Sequence, residues 1–355
     1  MTKTGFIPYE SDTNNHVKII KNIIQNEGYE VYNPFDKSCP NLKIINLNWF
    51  ESIYGTNYIS ILLKYLKKKV LIQLWKIKKI KLVYTMHNKL PHDIKYSNLI
   101  KKFIIFLCKK SDAIIVMSKI SFEYIKNDLK NPQALNKTYY IPLPNYIDTT
   151  TPEDYKSYTE AHSSFNLLFF GVIKPYKNIE LLINVFNDLS NMDINLLICG
   201  KPITKEYGYS LESLIKNKKI KTKFEFISEK DLDELIKKTD CCILPYDKKS
   251  SLNSGAAIHA FSLGKTVISP AIGTILDMPE DSVFSYDYND ETNHYKNLKN
   301  TILKAYEIFS SDKNTFNQKS LKAYNFIKEN NSHKRIGLLY NEVYKAVLNE
   351  KDSCY

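Results

Sequence analysis

The sequence predicts an α/β fold made of two doubly wound parallel sheets. Three observations carry this. Short, unbroken apolar runs such as LLFF at Leu167–Phe170 and AIIV at 113–116 have the length and continuity of strands covered on both faces. Amphipathic stretches at helical spacing separate them, in both halves of the chain. A polar stretch of weak periodicity, Asn145 to Ser164 with DTTTPEDY in it, divides the two series. At 355 residues, each half is long enough to bury a core of its own.

In order, Gly5–Pro8 reads as a first strand. Asn15–Asn26 is a helix with Val17, Ile20, Ile23 and Ile24 on one face, stopped by Gly28. Strands follow at Tyr29–Tyr32, Lys43–Phe50, Ile80–Met86, Asp112–Met117 and Tyr139–Pro142. Helices are expected at Ile59–Ile77, Asn98–Lys110 and from Ser118 to about Leu129. The second half has strands at Leu167–Phe170, Ile194–Cys199, Lys223–Ile227, Cys241–Pro245 and Thr266–Ser269. Its helices are expected at Ile179–Leu189, Tyr209–Lys218, Glu229–Lys238 and Ser254–Leu263. The tail from Glu291 to Leu348 is helical. These elements give a domain over 1–150, a linker over 151–164, a second domain over 165–330 and a C-terminal helix within 331–355 that packs back towards the first domain.

Hydrophobic residues make up 43% and charged residues 25%, an ordinary globular balance. The net charge of +12 is local: between Tyr58 and Lys110 stand 14 Lys, no Arg and one acid, Asp93. Within this window, Lys64–Lys81 mixes eight lysines with apolar residues. Such a helix suits an anionic membrane surface, where each Lys contributes about 1 kcal/mol, with Trp75 and Leu71 as candidate anchors. A solvated lysine-rich face has the same composition. Nucleic acid fits less well, because the patch holds no Arg and no nucleic-acid-reading motif accompanies it. No run of about 18 apolar residues occurs, nor a signal-peptide core near the start. The six cysteines have no metal-binding spacing, and several lie in apolar strands, which suits a reducing compartment.

The strongest candidate site follows the strand Leu167–Phe170. Gly171 permits a tight turn and a close approach, and Lys174 and Lys177 then flank a helix start. Helix N–H groups and two ammonium groups at one spot favour a diphosphate. A strand–turn–helix with two solvated lysines would have the same sequence. No P-loop pattern is present. On the same rim of the predicted sheet fall Ser228, Tyr246 and the sequence Asn253-Ser254-Gly255, which opens a helix with small residues. Ser228 and Ser254 could be anion-facing or could be helix N-caps alone. In the first half, His87 ends a strand and could donate to a substrate hydroxyl or phosphate. Asp93 is a candidate base or a balance for its lysine neighbours. Glu10, Asp12 and Glu51 are further acids near strand ends.

These segments resemble the GT-B glycosyltransferases, in particular the family 4 type of bacterial capsule and O-antigen synthesis. FGVIKPYKN is similar to the family's donor loop, with Lys174 and Lys177 at its two basic positions. SEKDLDELIKKTDCCILPY and SLNSGAAIHAFSLGKTVISP resemble its next two elements, and TMHNKLPHD with SDAIIVMS resembles two strand ends of its first domain. The resemblance implies two Rossmann-like domains with a C-terminal helical tail, the second holding a nucleotide-sugar, with UDP preferred to GDP. It implies transfer to a polyprenyl-diphosphate-linked glycan at the inner face of the plasma membrane, without a metal or other cofactor. Two family glutamates are replaced here by Ser251 and His259, and Asn178 stands where Gly is common. The resemblance leaves retention or inversion open. A non-catalytic nucleotide-sugar-binding subunit and an epimerase on the same fold are the alternatives.

Overall fold

The computed structural model describes residues 1–11, 15–89, 97–149 and 164–349. Asp93, Asp12 and nearly all of the 151–164 linker lie outside the described residues. The chain divides into two compact units, Met1–Pro144 with Asn331–Tyr355, and Asn145–Asn330.

The first unit holds strands β1 (Thr2–Ile7), β2 (Tyr29–Tyr32), β3 (Ile44–Asn48), β4 (Lys81–Met86), β5 (Ala113–Val116) and β6 (Thr138–Tyr140). They pair in parallel in the order β2-β1-β3-β4-β5-β6. The central strands are apolar because helices cover both faces: β3 and β5 are buried at every residue. Helices α1 (Asn15–Asn26), α2 (Tyr58–Ile77), α3 (Ser97–Lys110) and α4 (Ile120–Glu123) connect them. The order of strands reverses between β1 and β3, which leaves a crevice at their carboxyl ends.

The second unit holds β7 (Phe165–Phe170), β8 (Ile194–Cys199), β9 (Ile220–Lys223), β10 (Cys241–Ile243), β11 (Thr266–Pro270) and β12 (Phe284–Tyr286). Their order is β12-β11-β10-β7-β8-β9, again parallel, and it reverses between β7 and β10. The helices are α5 (Ile179–Asn187), α6 (Lys205–Ser213), α7 (Glu229–Lys237), α8 (Gly255–Ser262), α9 (Gly273–Leu276), α10 (Glu291–Ser311) and α11 (Lys313–Asn330). The last helix, α12 (His333–Asn349), belongs to the first unit. There Tyr344 meets Tyr29 edge-on at 4.8 Å and Asn341 accepts from the Tyr29 hydroxyl at 2.8 Å.

Three expectations shift. The strand expected at Lys223–Ile227 lies at Ile220–Lys223, where Ile220 pairs with Leu196. The alternating KFEFI pattern that suggested the later position follows the strand end, and Phe226 is exposed. Helix α6 starts at Lys205 rather than Tyr209, because Thr204 caps it by accepting from the Tyr207 N–H at 3.1 Å. Trp75 is buried rather than available to a membrane, lying 6.0 Å from the Phe50 ring.

Candidate active site

In the second unit the site is built from the loops after β7 and β10, the pair that flank the strand-order reversal. Two glycines let the ends of β7 and its neighbour β8 close up. Gly200 has φ +141°, and a Cβ there would lie 2.1 Å from the Gly171 carbonyl oxygen. Gly171 has φ +108°, and its own Cβ would lie 2.9 Å from Lys177 Nζ. The bare Gly171 backbone is therefore what admits the lysine head group.

Lys177 is only 8% exposed. Its ammonium lies 5.5 Å from the Phe169 ring and 5.2 Å from the Tyr246 ring. Among the described residues no carboxylate pairs with it. Burial, helped by the charge of Lys174, brings its pKa down to about 7. A buried cation whose described neighbours are aromatic faces is a strong attractor for an anion. Lys174 stands at the N-cap position of the short turn Pro175–Lys177 and is half-buried.

Asn178 adopts the left-handed conformation, φ 53° and ψ 44°. Gly and Asn tolerate this best, which explains why Asn can stand at this position. The Asn side chain adds something Gly lacks: Nδ2 donates to the Pro245 carbonyl at 2.9 Å. The Asp247 N–H donates to the Tyr176 carbonyl at 2.8 Å, so the two loops are stitched twice.

Ser254 caps α8, accepting from the Ala257 N–H at 3.1 Å, while its own N–H donates to the Thr274 hydroxyl at 2.9 Å. Tyr246 is buried and its phenol faces the Ser254 hydroxyl. The cap uses the third N–H of the helix, and the earlier ones, at exposed Gly255 and at Ala256, are those a helix start leaves open to an acceptor. Asn253 precedes this turn, half-buried. Gly171, Lys174, Lys177, Tyr246 and Ser254 thus form one connected set, with Asn253 and Gly255 beside it. Ser228 is placed differently: its hydroxyl accepts from the Asp231 N–H at 3.2 Å and donates to Asp231 Oδ2 at 2.6 Å, both inside its own cap on α7.

The two positions that lack glutamate have distinct surroundings. Ser251 is buried. His259 is held by Asp233 of α7, with Nε2 to Oδ1 at 2.6 Å, and stacks on Tyr146 at 4.5 Å. Burial pushes the Tyr146 phenol up to about 12. Sequence reading did not find Tyr146, Asp233 or the Asn178–Pro245 tie. Only the αL preference of Asn after a lysine turn offered a signal for the last.

In the first unit His87 follows β4 and is buried. It stacks on Trp49 at 3.7 Å and meets His16 edge-on at 5.5 Å. The three rings sit at the carboxyl ends of β1, β3 and β4. Asn48 Nδ2 donates to the Ile7 carbonyl, so its Oδ1 is the atom 3.1 Å from His87 Nε2 and accepts that proton. The proton expected for a substrate is therefore held by Asn48 at Nε2. Burial keeps His87 well below the usual histidine range and brings His16 to about 4, so both rings are neutral. Of the acids near strand ends, Glu51 is buried. It faces Tyr84 and Lys68 and is pushed up to about 7 by desolvation.

Comparison with known proteins bears on this second unit. Residues 151–308 match the family model described as glycosyl transferases group 1. That match lies within the second unit. In sequence, the chain is 31% identical over 105 residues to a GDP-mannose:glycolipid 4-beta-D-mannosyltransferase of Xanthomonas campestris pv. campestris. That match covers 29% of this chain and 30% of the relative. In structure, the chain resembles the sucrose-phosphate synthase of Thermosynechococcus elongatus, with a TM-score of 0.74, 14% identity and coverage of 99% and 100%. It also resembles HepE of Anabaena in complex with UDP-glucose, with a TM-score of 0.68, 13% identity and coverage of 98% and 100%. The fold is GT-B. The group 1 glycosyltransferase match contains the lysine loop, the Ser254 turn and His259.

Proposed function

We propose that the protein is a glycosyltransferase that moves a sugar from a nucleoside diphosphate donor, with UDP as the carrier, to a lipid-linked oligosaccharide. The observation that carries this is Lys177, a buried cation with no carboxylate partner among the described residues, between Gly171 and Tyr246 at the strand-order reversal. The donor diphosphate would lie against Lys174, Lys177 and the open start of α8. As the bond from the sugar to the diphosphate breaks, negative charge grows on the departing group. Fixed cations and helix N–H groups stabilise that charge more than the ground state, which is the source of rate. In this reading the lysines take the part a metal plays in other transferases. The acceptor would rest on the neutral ring cluster of His16, Trp49 and His87 in the first unit, with the half-buried Trp49 face towards solvent. The exchange then takes place at the inner face of the plasma membrane, with the Lys64–Lys81 segment towards anionic lipid.

UDP-glucose in the HepE complex supports the choice of UDP. A GDP-sugar is the second reading, favoured by the Xanthomonas relative named for GDP-mannose. The test is transfer of labelled sugar from a panel of UDP- and GDP-sugars to polyprenyl-diphosphate-linked glycans. Turnover that disappears in Lys174→Ala and Lys177→Ala supports the assignment. Nucleotide binding with no turnover on any acceptor would instead make the chain a binding subunit.

A further inference from the structure

Tyr146 stands beside the donor site, and the proposed reaction does not use it. Its backbone N–H donates to the Ser262 hydroxyl in the last turn of α8 at 2.9 Å, and Ser262 in turn donates to the Ile258 carbonyl at 2.7 Å. One turn earlier on α8 its ring stacks on His259, with centroids 4.5 Å apart and planes 19° apart. Another turn earlier its hydroxyl reaches Gly255, where a Cβ would lie 3.9 Å from the phenol oxygen. Ser262, His259 and Gly255 are three and four residues apart, so they share one stripe of the helix. The Tyr146 side chain therefore runs along α8 and ends at its start.

The ring is anchored. His259 beneath it is fixed on two further sides: Asp233 Oδ1 lies 2.6 Å from its Nε2, and the Phe170 ring meets it edge-on at 5.9 Å. The N–H and the hydroxyl of Thr149 both donate to the Tyr146 carbonyl, at 3.2 and 2.7 Å. The phenol O–H alone is left open, with no hydrogen-bond partner among the described residues. A packed tyrosine ordinarily finds a partner for this group.

The surroundings say what that partner is. The phenol lies at the turn whose N–H groups at Gly255 and Ala256 are open, and Gly255 brings no side chain to cover them. Burial pushes the phenol up to about 12, and the carboxylates of Glu229 and Asp233 act in the same direction. The group keeps its proton at neutral pH and is a donor. A fixed donor at the positive end of a helix calls for an acceptor that carries negative charge.

We infer that Tyr146 contacts the donor directly, its O–H donating to a diphosphate oxygen seated at the start of α8. The inference rests on the proposed donor site and gives it a neutral donor beside two ammonium groups. His259 and Asp233 are then positioning residues, acting on the diphosphate through the Tyr146 ring.

The test is calorimetric titration of the full chain and of Tyr146→Phe with UDP, 2′-deoxy-UDP and GDP. Phe keeps the stack on His259 and breaks no hydrogen bond within the protein, so the melting temperature without ligand should not fall. Affinity for the diphosphate the wild type binds should drop about tenfold, as for one lost hydrogen bond to a charged group. If that diphosphate is UDP, the drop should be the same with 2′-deoxy-UDP. Equal affinity in Tyr146→Phe and wild type would overturn the inference. So would a drop seen with UDP and absent with 2′-deoxy-UDP, which would put the phenol on the ribose. Binding that falls in Lys177→Met and not in Tyr146→Phe would overturn this inference and leave the donor site standing. A wild type that binds neither UDP nor GDP would overturn both.

Discussion

The two units solve the same architectural problem with opposite chemistry. Each is a six-stranded parallel sheet with one reversal of strand order, and each gathers side chains at that reversal. In the first unit the gathered groups are uncharged rings, His16, Trp49 and His87, kept neutral by burial. In the second they are cationic, Lys174 and Lys177, in a frame of glycine and aromatic faces. The fold provides a crevice; what it can hold is set by whether desolvation there falls on a histidine or on a lysine. Neutral rings suit an uncharged sugar face, and an uncompensated ammonium suits a diphosphate.

The largest effect should come from removing the close approach that frames the lysine. Gly200→Ala forces a Cβ against the Gly171 carbonyl, backbone against backbone. We expect a loss on the order of 4 kcal/mol or more in the stability of the second unit, measured by denaturant unfolding. A wild-type transition would mean that the two strand ends are not locked together.

Lys177→Met separates charge from packing. UDP affinity should fall about 100-fold, equivalent to about 2.7 kcal/mol. The ligand-free protein should not lose stability. The folded pKa, about 7, is lowered from the ordinary value of 10.5, so the charged lysine destabilises the fold fully below pH 7. That penalty fades as pH rises from 7 towards 10.5. The Met variant should therefore melt higher than the wild type at pH 6, with the difference shrinking above pH 7. A lower melting temperature at pH 6 would show that the ammonium has a stabilising partner.

Acid should act on the first unit through its rings. The folded pKa of His16 is about 4, below its ordinary 6.5, so the unfolded state binds more protons between these values and stability falls as pH drops from 6.5 to 4. The loss is on the order of 3 kcal/mol for His16, with His87 adding in the same direction. His16→Phe should flatten this acid limb, followed by the fluorescence of Trp49 and Trp75; an unchanged limb would exclude His16 as its cause.

The smallest effect concerns the stitch between loops. Asn178→Gly keeps the left-handed turn and loses only the bond to the Pro245 carbonyl, a cost of about 1 kcal/mol. Asn178→Ala adds left-handed strain of about 1–2 kcal/mol to that. Equal melting temperatures for the two variants would rule out the strain.

The sheets were legible because strands covered on both faces leave unbroken apolar runs, as at β7 and β8. The third strand of the second unit was read late because KFEFI alternates like a strand, whereas the register is set by Ile220 on Leu196. Lys174, Lys177 and Ser254 were legible from their places after strands. The burial of Lys177 was not, because it comes from Phe169 and Tyr246, which are far apart in sequence. Nor was the tautomer of His87, which depends on Asn48 and through it on the Ile7 carbonyl. The α2 segment shows the same limit: its lysines were readable, but which apolar face stays outside is decided by Phe50 and by the fixed head of Lys68.

The most direct test of the central claim is calorimetric titration of UDP between pH 7.5 and 9 in buffers of different ionisation enthalpy. A diphosphate beside Lys177 raises its pKa, so binding should take up close to one proton near pH 8, and affinity should fall as pH rises. Lys177→Met should show weak binding with no proton uptake. Tight UDP binding in both proteins, with no proton uptake in either, would contradict a diphosphate site at this lysine.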